Sequence, residues 1–112
     1  MIVEDDQLLA YLNEQYVVNC NCEVVACFDN GVDALTFAKE NTLDFILMDI
    51  RIEGPIDGIE TAILLNEIKD VKVIFVSGNS DEKTYARALK TKMLAFLVKP
   101  IKQTELSEFL LA

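Results

Sequence analysis

Apolar side chains recur along the chain in five short runs: Met1-Ile2-Val3, Val24-Val25-Ala26-Cys27-Phe28, Leu43 to Met48, Val71 to Val76 and Leu94 to Val98. Each is rich in Val, Ile and Phe and apolar at consecutive positions, which is how a strand covered on both faces reads. Between the runs the apolar positions take a helical period. Asp6 to Val18 puts Leu8, Leu9, Leu12 and Tyr16 on one face; Val32 to Lys39 offers Leu35 and Ala38; Gly58 to Ile68 offers Ile59, Ala62, Ile63 and Leu65. Asp81 to Lys90 offers Tyr85, Ala88 and Leu89, and Gln103 to Leu111 offers Leu106, Phe109 and Leu110. Strand and helix alternate five times, which predicts a doubly wound α/β sandwich: a parallel sheet, helices on both faces, right-handed crossovers.

Gly and Pro fall between these segments, and neither a repeat nor a low-complexity linker interrupts them. Residues 1–112 therefore read as one domain, and 52% hydrophobic residues are enough to give it a core. No apolar stretch approaches the roughly 18 to 20 residues that span a bilayer, and the first residues lack a basic segment leading into an apolar one. The expectation is a cytoplasmic protein with no membrane partner. Cys20, Cys22 and Cys27 are an odd number of thiols, expected to be reduced; a Cys-x-Cys pair without His is a poor zinc site. Nineteen acids against ten bases give a net charge of −9, which opposes direct binding to nucleic-acid phosphates. The absence of histidine excludes His-based acid–base triads and His-ligated zinc hydrolases. Chemistry here must run on carboxylates, hydroxyls and lysine.

In a doubly wound sheet, ligands sit beyond the carboxyl ends of the strands. Those ends carry Glu4-Asp5-Asp6, Asp49, Ser77-Gly78 and Lys99-Pro100. Each alone has an ordinary structural reading: Asp6 caps the helix that follows, Ser77 opens a turn, Lys99-Pro100 is a strand exit. Together they are harder to explain that way, because clustered carboxylates repel unless a cation holds them. An oxygen-only donor set with a few carboxylates suits Mg²⁺. A carboxylate beside Mg²⁺, a lysine and a hydroxyl is equipped to receive a phosphoryl group, with Asp49 as nucleophile.

Over essentially its whole length the chain resembles the receiver domains of two-component response regulators. Five motifs carry the resemblance in order: Ile2-Val3-Glu4-Asp5-Asp6, Ile46-Leu47-Met48-Asp49, Asp57-Gly58-Ile59-Glu60, Val73-Ile74-Phe75-Val76-Ser77-Gly78 and Phe96-Leu97-Val98-Lys99-Pro100-Ile101. The resemblance implies a flavodoxin-like five-stranded parallel sheet in the order 2-1-3-4-5 with five helices. It implies Asp49 as phospho-acceptor, Asp5 as a direct Mg²⁺ ligand, Glu4 as a ligand through water, and the Arg51 backbone carbonyl completing the set. Asp6 is left as a helix-start residue. Ser77 becomes the switch hydroxyl, Lys99 the phosphoryl-binding cation, with a cis bond before Pro100. Phe96 takes the switch-aromatic position, and Arg51 and Asn79 tune water access to the phosphoryl group.

The partners so implied are a histidine kinase or histidine phosphotransfer protein as donor and an output domain or protein of unknown kind. The only reaction catalysed would be the domain's own phosphorylation and dephosphorylation. Arg87, Lys90 and Lys92 with Glu105 and Glu108 could pair in a homodimer or serve as solvated surface charge. Two other readings stand beside this one. A receiver-like module that binds partners without phosphorylation would be expected to lack one of the site residues. An aspartate-nucleophile phosphohydrolase would carry a second acid two residues after Asp49, where this chain has Arg51. The first strand starts abruptly, the last helix ends early, and the segment from Asp49 to Gly58 is about one residue longer than the family's commonest loop. The chain is thus either a minimal receiver or one cut from a longer multidomain protein.

Overall fold

The computed structural model describes residues 1–78 and 81–111. Strands β1 (Ile2–Val3), β2 (Cys27–Phe28), β3 (Phe45–Asp49), β4 (Lys72–Ser77) and β5 (Met93–Val98) alternate with helices α1 (Gln7–Asn19), α2 (Gly31–Glu40), α3 (Gly58–Ile68), α4 (Glu82–Leu89) and α5 (Gln103–Leu110). The strands form one sheet in the order β2-β1-β3-β4-β5, every pair parallel, with Asp49 opposite Val76 and Ser77 opposite Val98. This is the doubly wound, flavodoxin-like order expected from the alternation and the family motifs.

Period-two alternation along the central strands feeds two cores. Ile46 and Met48 of β3 point to one face with Val3, Val73 and Phe75, where Ala34 and Ala38 of α2 and Ile59, Ala62 and Leu65 of α3 cover them. Leu47 points to the other, with Ile2, Ile74, Val76 and Leu97, under Leu106 of α5. Ile46, Met48, Val73 and Phe75 have no solvent exposure at all. Burying one such side chain contributes roughly 1.5–3 kcal/mol, so the middle of the sheet contributes heavily to the stability of the fold.

Helix starts are written in polar residues. Asp6 caps α1 by accepting the N–H groups of Leu8 and Leu9 at 3.0 and 3.1 Å, and Asn30 and Asp81 cap α2 and α4. Asp57 and Glu60 form a capping box at α3: Glu60 N–H donates to Asp57 Oδ1 at 2.8 Å, and Asp57 N–H donates to Glu60 Oε1 at 3.0 Å.

Two details depart from the sequence pattern. The expected second strand, Val24 to Phe28, is longer than the strand observed: only Cys27 and Phe28 are strand residues, opposite Ile2 and Val3 of β1, with the Ala26 carbonyl accepting from Ile2 N–H just before them. On α1, Leu8 and Leu12 lie on the solvent side together with Tyr11, at 67, 39 and 58% exposure, while Asn13 is buried. An α1 that is apolar almost all round leaves its buried face undecided by hydrophobicity alone.

Candidate functional site

Beyond the C-terminal ends of the strands, side chains from four segments converge. Glu4 and Asp5 leave β1, Asp49 is the last residue of β3, Ser77 the last of β4, and Lys99 follows β5. Glu4, Asp5 and Asp49 each offer a carboxylate oxygen within 4.8 Å of the others. The Lys99 ammonium sits between two of them, 3.0 Å from Asp49 Oδ2 and 2.9 Å from Glu4 Oε1. Its backbone N–H donates to the Ser77 carbonyl at 2.8 Å, and the Lys99–Pro100 peptide bond is cis. Asp6 belongs to the helix it caps, and so stands outside the carboxylate cluster.

The electrostatics of the site follow from burial. The Glu4 side chain is 1% exposed and that of Asp49 7%. Desolvation, followed by the neighbouring Asp49, pushes the Glu4 carboxyl above the usual carboxylate range, against the pull of Lys99. Asp5 is pushed the same way by its partial burial and by Glu4. Burial pulls the Lys99 ammonium down, but Glu4 and Asp49 outweigh it, and its pKa lies above that of a free lysine. Among the described residues, one cation, Lys99, is paired within the cluster of three acids. The Nζ to Glu4 Oε1 contact is an ion pair by distance but lacks hydrogen-bond geometry, so among the described residues Oε1 is a buried acceptor without a hydrogen-bond donor. Surplus negative charge and unfilled oxygen acceptors fit a small hard cation.

The remaining positions singled out by sequence fall as follows. Ser77 is buried at the rim beside Lys99. Arg51 is exposed in the loop after Asp49, and Asn79 lies outside the described residues. Phe96 is half-buried on β5, its ring edge-on to Tyr85 of α4 with centroids 5.2 Å apart. Three further features were not read from sequence. Tyr85 is the ring that Phe96 meets. Arg87 of α4 forms a 2.7 Å ion pair with Asp57, the cap of α3. Gly58, whose N–H donates to the Ile50 carbonyl at 2.7 Å, lies so close to the Asp49 carbonyl that a Cβ would overlap it. The Asp57-Gly58-Ile59-Glu60 motif thus spells both a capping box and a glycine-only approach to the backbone of Asp49.

A model of the response regulator receiver domain matches residues 1–111. The chain belongs to this family. It is 31% identical over 111 residues to the cyclic di-GMP phosphodiesterase response regulator RpfG of Xanthomonas campestris, covering 95% of this chain and 29% of that protein. It is 38% identical over 81 residues to the transcriptional regulatory protein ZraR of Klebsiella oxytoca, covering 69% of this chain and 17% of that one. The chain thus spans under a third of either relative. Among solved structures it resembles the receiver domain of sensor histidine kinase PA1611 from Pseudomonas aeruginosa, which holds a magnesium ion in its active-site cleft: TM-score 0.86, 25% identity, 96% of this chain and 90% of that one. The signal receiver domain of a modulated diguanylate cyclase from Desulfovibrio desulfuricans also has a TM-score of 0.86, at 31% identity, with 96% of this chain and 85% of that one covered. Receivers of this family bind Mg²⁺ in an acidic site and act in two-component signalling, and the Glu4, Asp5 and Asp49 cluster is consistent with that.

Proposed function

We propose that this receiver takes a phosphoryl group onto Asp49 from a histidine kinase or histidine phosphotransfer protein, and that the modified state changes the surface around α4, β5 and α5. The observation that carries the reading is the Lys99 ammonium held 3.0 Å from Asp49 Oδ2 and 2.9 Å from Glu4 Oε1 at the ends of three different strands. Asp5, Asp49 and the Arg51 carbonyl would hold Mg²⁺, with Glu4 acting through water. Bound there, the ion would neutralise phosphoryl oxygens and the excess carboxylate charge.

An Asp49 oxygen attacks phosphorus in line, a new P–O bond forms, and the bond to the donor's leaving atom breaks with its electron pair. Lys99 neutralises one phosphoryl oxygen and the Ser77 hydroxyl donates to another. Buried neighbours restrict Asp49 to few orientations, which is the chain's own contribution to rate. As Ser77 moves toward the phosphoryl group, Phe96 turns into the space it leaves and gives up its edge contact with Tyr85, so α4 feels the event. Arg51 and Asn79 control water reaching the acyl phosphate. The chemistry is confined to Asp49 itself, the output lies with another domain or protein, and the setting is the cytoplasm. Dimerisation through the basic and acidic residues of α4 and α5 remains a secondary proposal.

Incubating the protein with acetyl phosphate and Mg²⁺ and resolving it on a phosphate-affinity gel tests the reading. A shifted band that is abolished by chelation supports it. Unshifted protein under conditions that shift a known receiver would leave only a phosphorylation-independent binding module.

A further inference from the structure

Helix α1 buries a polar side chain where an apolar one would pack better. Leu9, Asn13, Tyr16 and Val17 share its inner face at helical spacing, and Tyr16 and Val17 pack on the core under α5. Asn13, in the middle of that face, is only 6% exposed. A leucine there would bury more apolar surface and desolvate no polar group, so an amide is costly unless its polar atoms find partners. Among the described residues the Asn13 carboxamide makes no hydrogen bond. It lines a cavity of about 60 Å³ together with Glu4, Tyr16, Val76, Lys99 and Pro100. That volume admits a few water molecules and excludes larger ligands.

Glu4 brings a complementary need to the same cavity. Its Oε2 accepts the Asp6 N–H at 3.3 Å, but its Oε1 has no hydrogen-bond donor among the described residues. An amide that can donate and a buried carboxylate that can only accept thus line one small space, and no direct hydrogen bond joins them. A water molecule that accepts from the Asn13 amide and donates to the Glu4 carboxylate satisfies both groups, and Leu9, Val76 and Ile101 on the walls offer it no competing side-chain partner.

We propose that this cavity is an ordered-water site through which Asn13 of α1 holds the Glu4 carboxylate, making Asn13 a positioning residue for the acidic rim. With the Asp6 N–H on one oxygen and water on the other, Glu4 keeps its orientation when Lys99 turns toward a phosphoryl oxygen, and so keeps its place beside the metal. This consequence rests on the reading of the rim proposed above; the water itself does not.

A crystal structure of the 112-residue chain grown without metal, at a resolution that shows ordered water, tests the site directly. Water within hydrogen-bond distance of both the Asn13 carboxamide and the Glu4 carboxylate is expected; a dry cavity, or water bonded to only one of the two, would overturn the proposal. In solution, Asn13→Leu fills the cavity and should raise the denaturation midpoint. It should nevertheless weaken Mg²⁺ in a calorimetric titration by about threefold, less than the roughly tenfold typical when a partner in direct contact with a metal ligand is lost. Asn13→Ser leaves room for another water beside a hydroxyl and should recover most of that affinity. Unchanged Mg²⁺ affinity in Asn13→Leu would reduce Asn13 to a poorly buried amide and would equally overturn the proposal. Should the wild-type chain bind no Mg²⁺ at all, the reading of the rim fails, and the water in the metal-free crystal alone decides the inference.

Discussion

The two ends of one sheet are built on opposite principles. At the C-terminal rim, strands end on polar groups that repel or attract strongly: three acids and one ammonium lie within a few ångströms, with buried Ser77 at the end of β4 beside them in the sheet. At the N-terminal edge the same strands end among aliphatic side chains around a cavity. The middles of β3 and β4, buried between, are common to both. The two ends thus differ in chemistry: the rim carries surplus negative charge on clustered carboxylates, and the other end surrounds a cavity lined by both aliphatic and charged residues.

The largest effect on this contrast should come from the rim's single central cation. Lys99→Met leaves Glu4 and Asp49 buried without their partner, and should lower stability by about 3 kcal/mol at neutral pH while abolishing phosphorylation. A chemical-denaturation midpoint within error of wild type would mean the rim is solvated and the contrast false. Gly58→Ala comes next. Its Cβ overlaps the Asp49 carbonyl, a backbone atom fixed in a buried strand, so a loss of about 2 kcal/mol and slower phosphorylation are expected together. A stable variant that phosphorylates normally would show that the contact is relaxed in solution.

Acidity sharpens the comparison because two of the rim's carboxyls are pushed above their ordinary range. Glu4 and Asp5 have raised carboxyl pKa values, so the folded protein binds these protons more tightly than the unfolded chain. Their unfavourable contribution is complete above the folded pKa values and disappears as pH falls through them toward the ordinary carboxylate range. Over that window, thermal stability without metal should gain from these two groups as pH drops. Mg²⁺ competes for the same oxygens, so its affinity should fall over that window, by up to about tenfold per pH unit for each proton displaced. Calorimetric titrations at several pH values check this; a pH-independent affinity would remove Glu4 and Asp5 from the metal's surroundings. Arg87→Ala should matter least. The pair with Asp57 is largely exposed and worth no more than about 1 kcal/mol, so unfolding should shift slightly while any change in phosphorylation reports α4 alone.

Much of this was legible in the residues. Apolar runs such as Phe45 to Met48 mark central strands because both faces are covered, and Asp6 and the Asp57 to Glu60 box mark helix starts because caps need those side chains. The rim cluster was legible as a set of strand-end residues that family spacing ties together. Two things were not. Val24 and Val25 have strand-like side chains, but pairing depends on a neighbour that the run itself does not encode. On α1, hydrophobicity points in nearly every direction, so tertiary packing chose to bury Asn13 rather than Leu8 or Leu12. The Tyr85 to Phe96 and Arg87 to Asp57 contacts join positions far apart in the chain and require the fold before they exist.

The central claim is that Asp49 is the residue modified, and mapping the phosphoryl group after reaction with acetyl phosphate and Mg²⁺ tests it most directly. Borohydride reduction followed by peptide mass spectrometry should convert Asp49 alone to homoserine, with no conversion after chelation or in the Asp49→Asn variant. Conversion at Asp5 or another acid in wild type, or labelling of the Asp49→Asn variant at the wild-type level, would contradict the account.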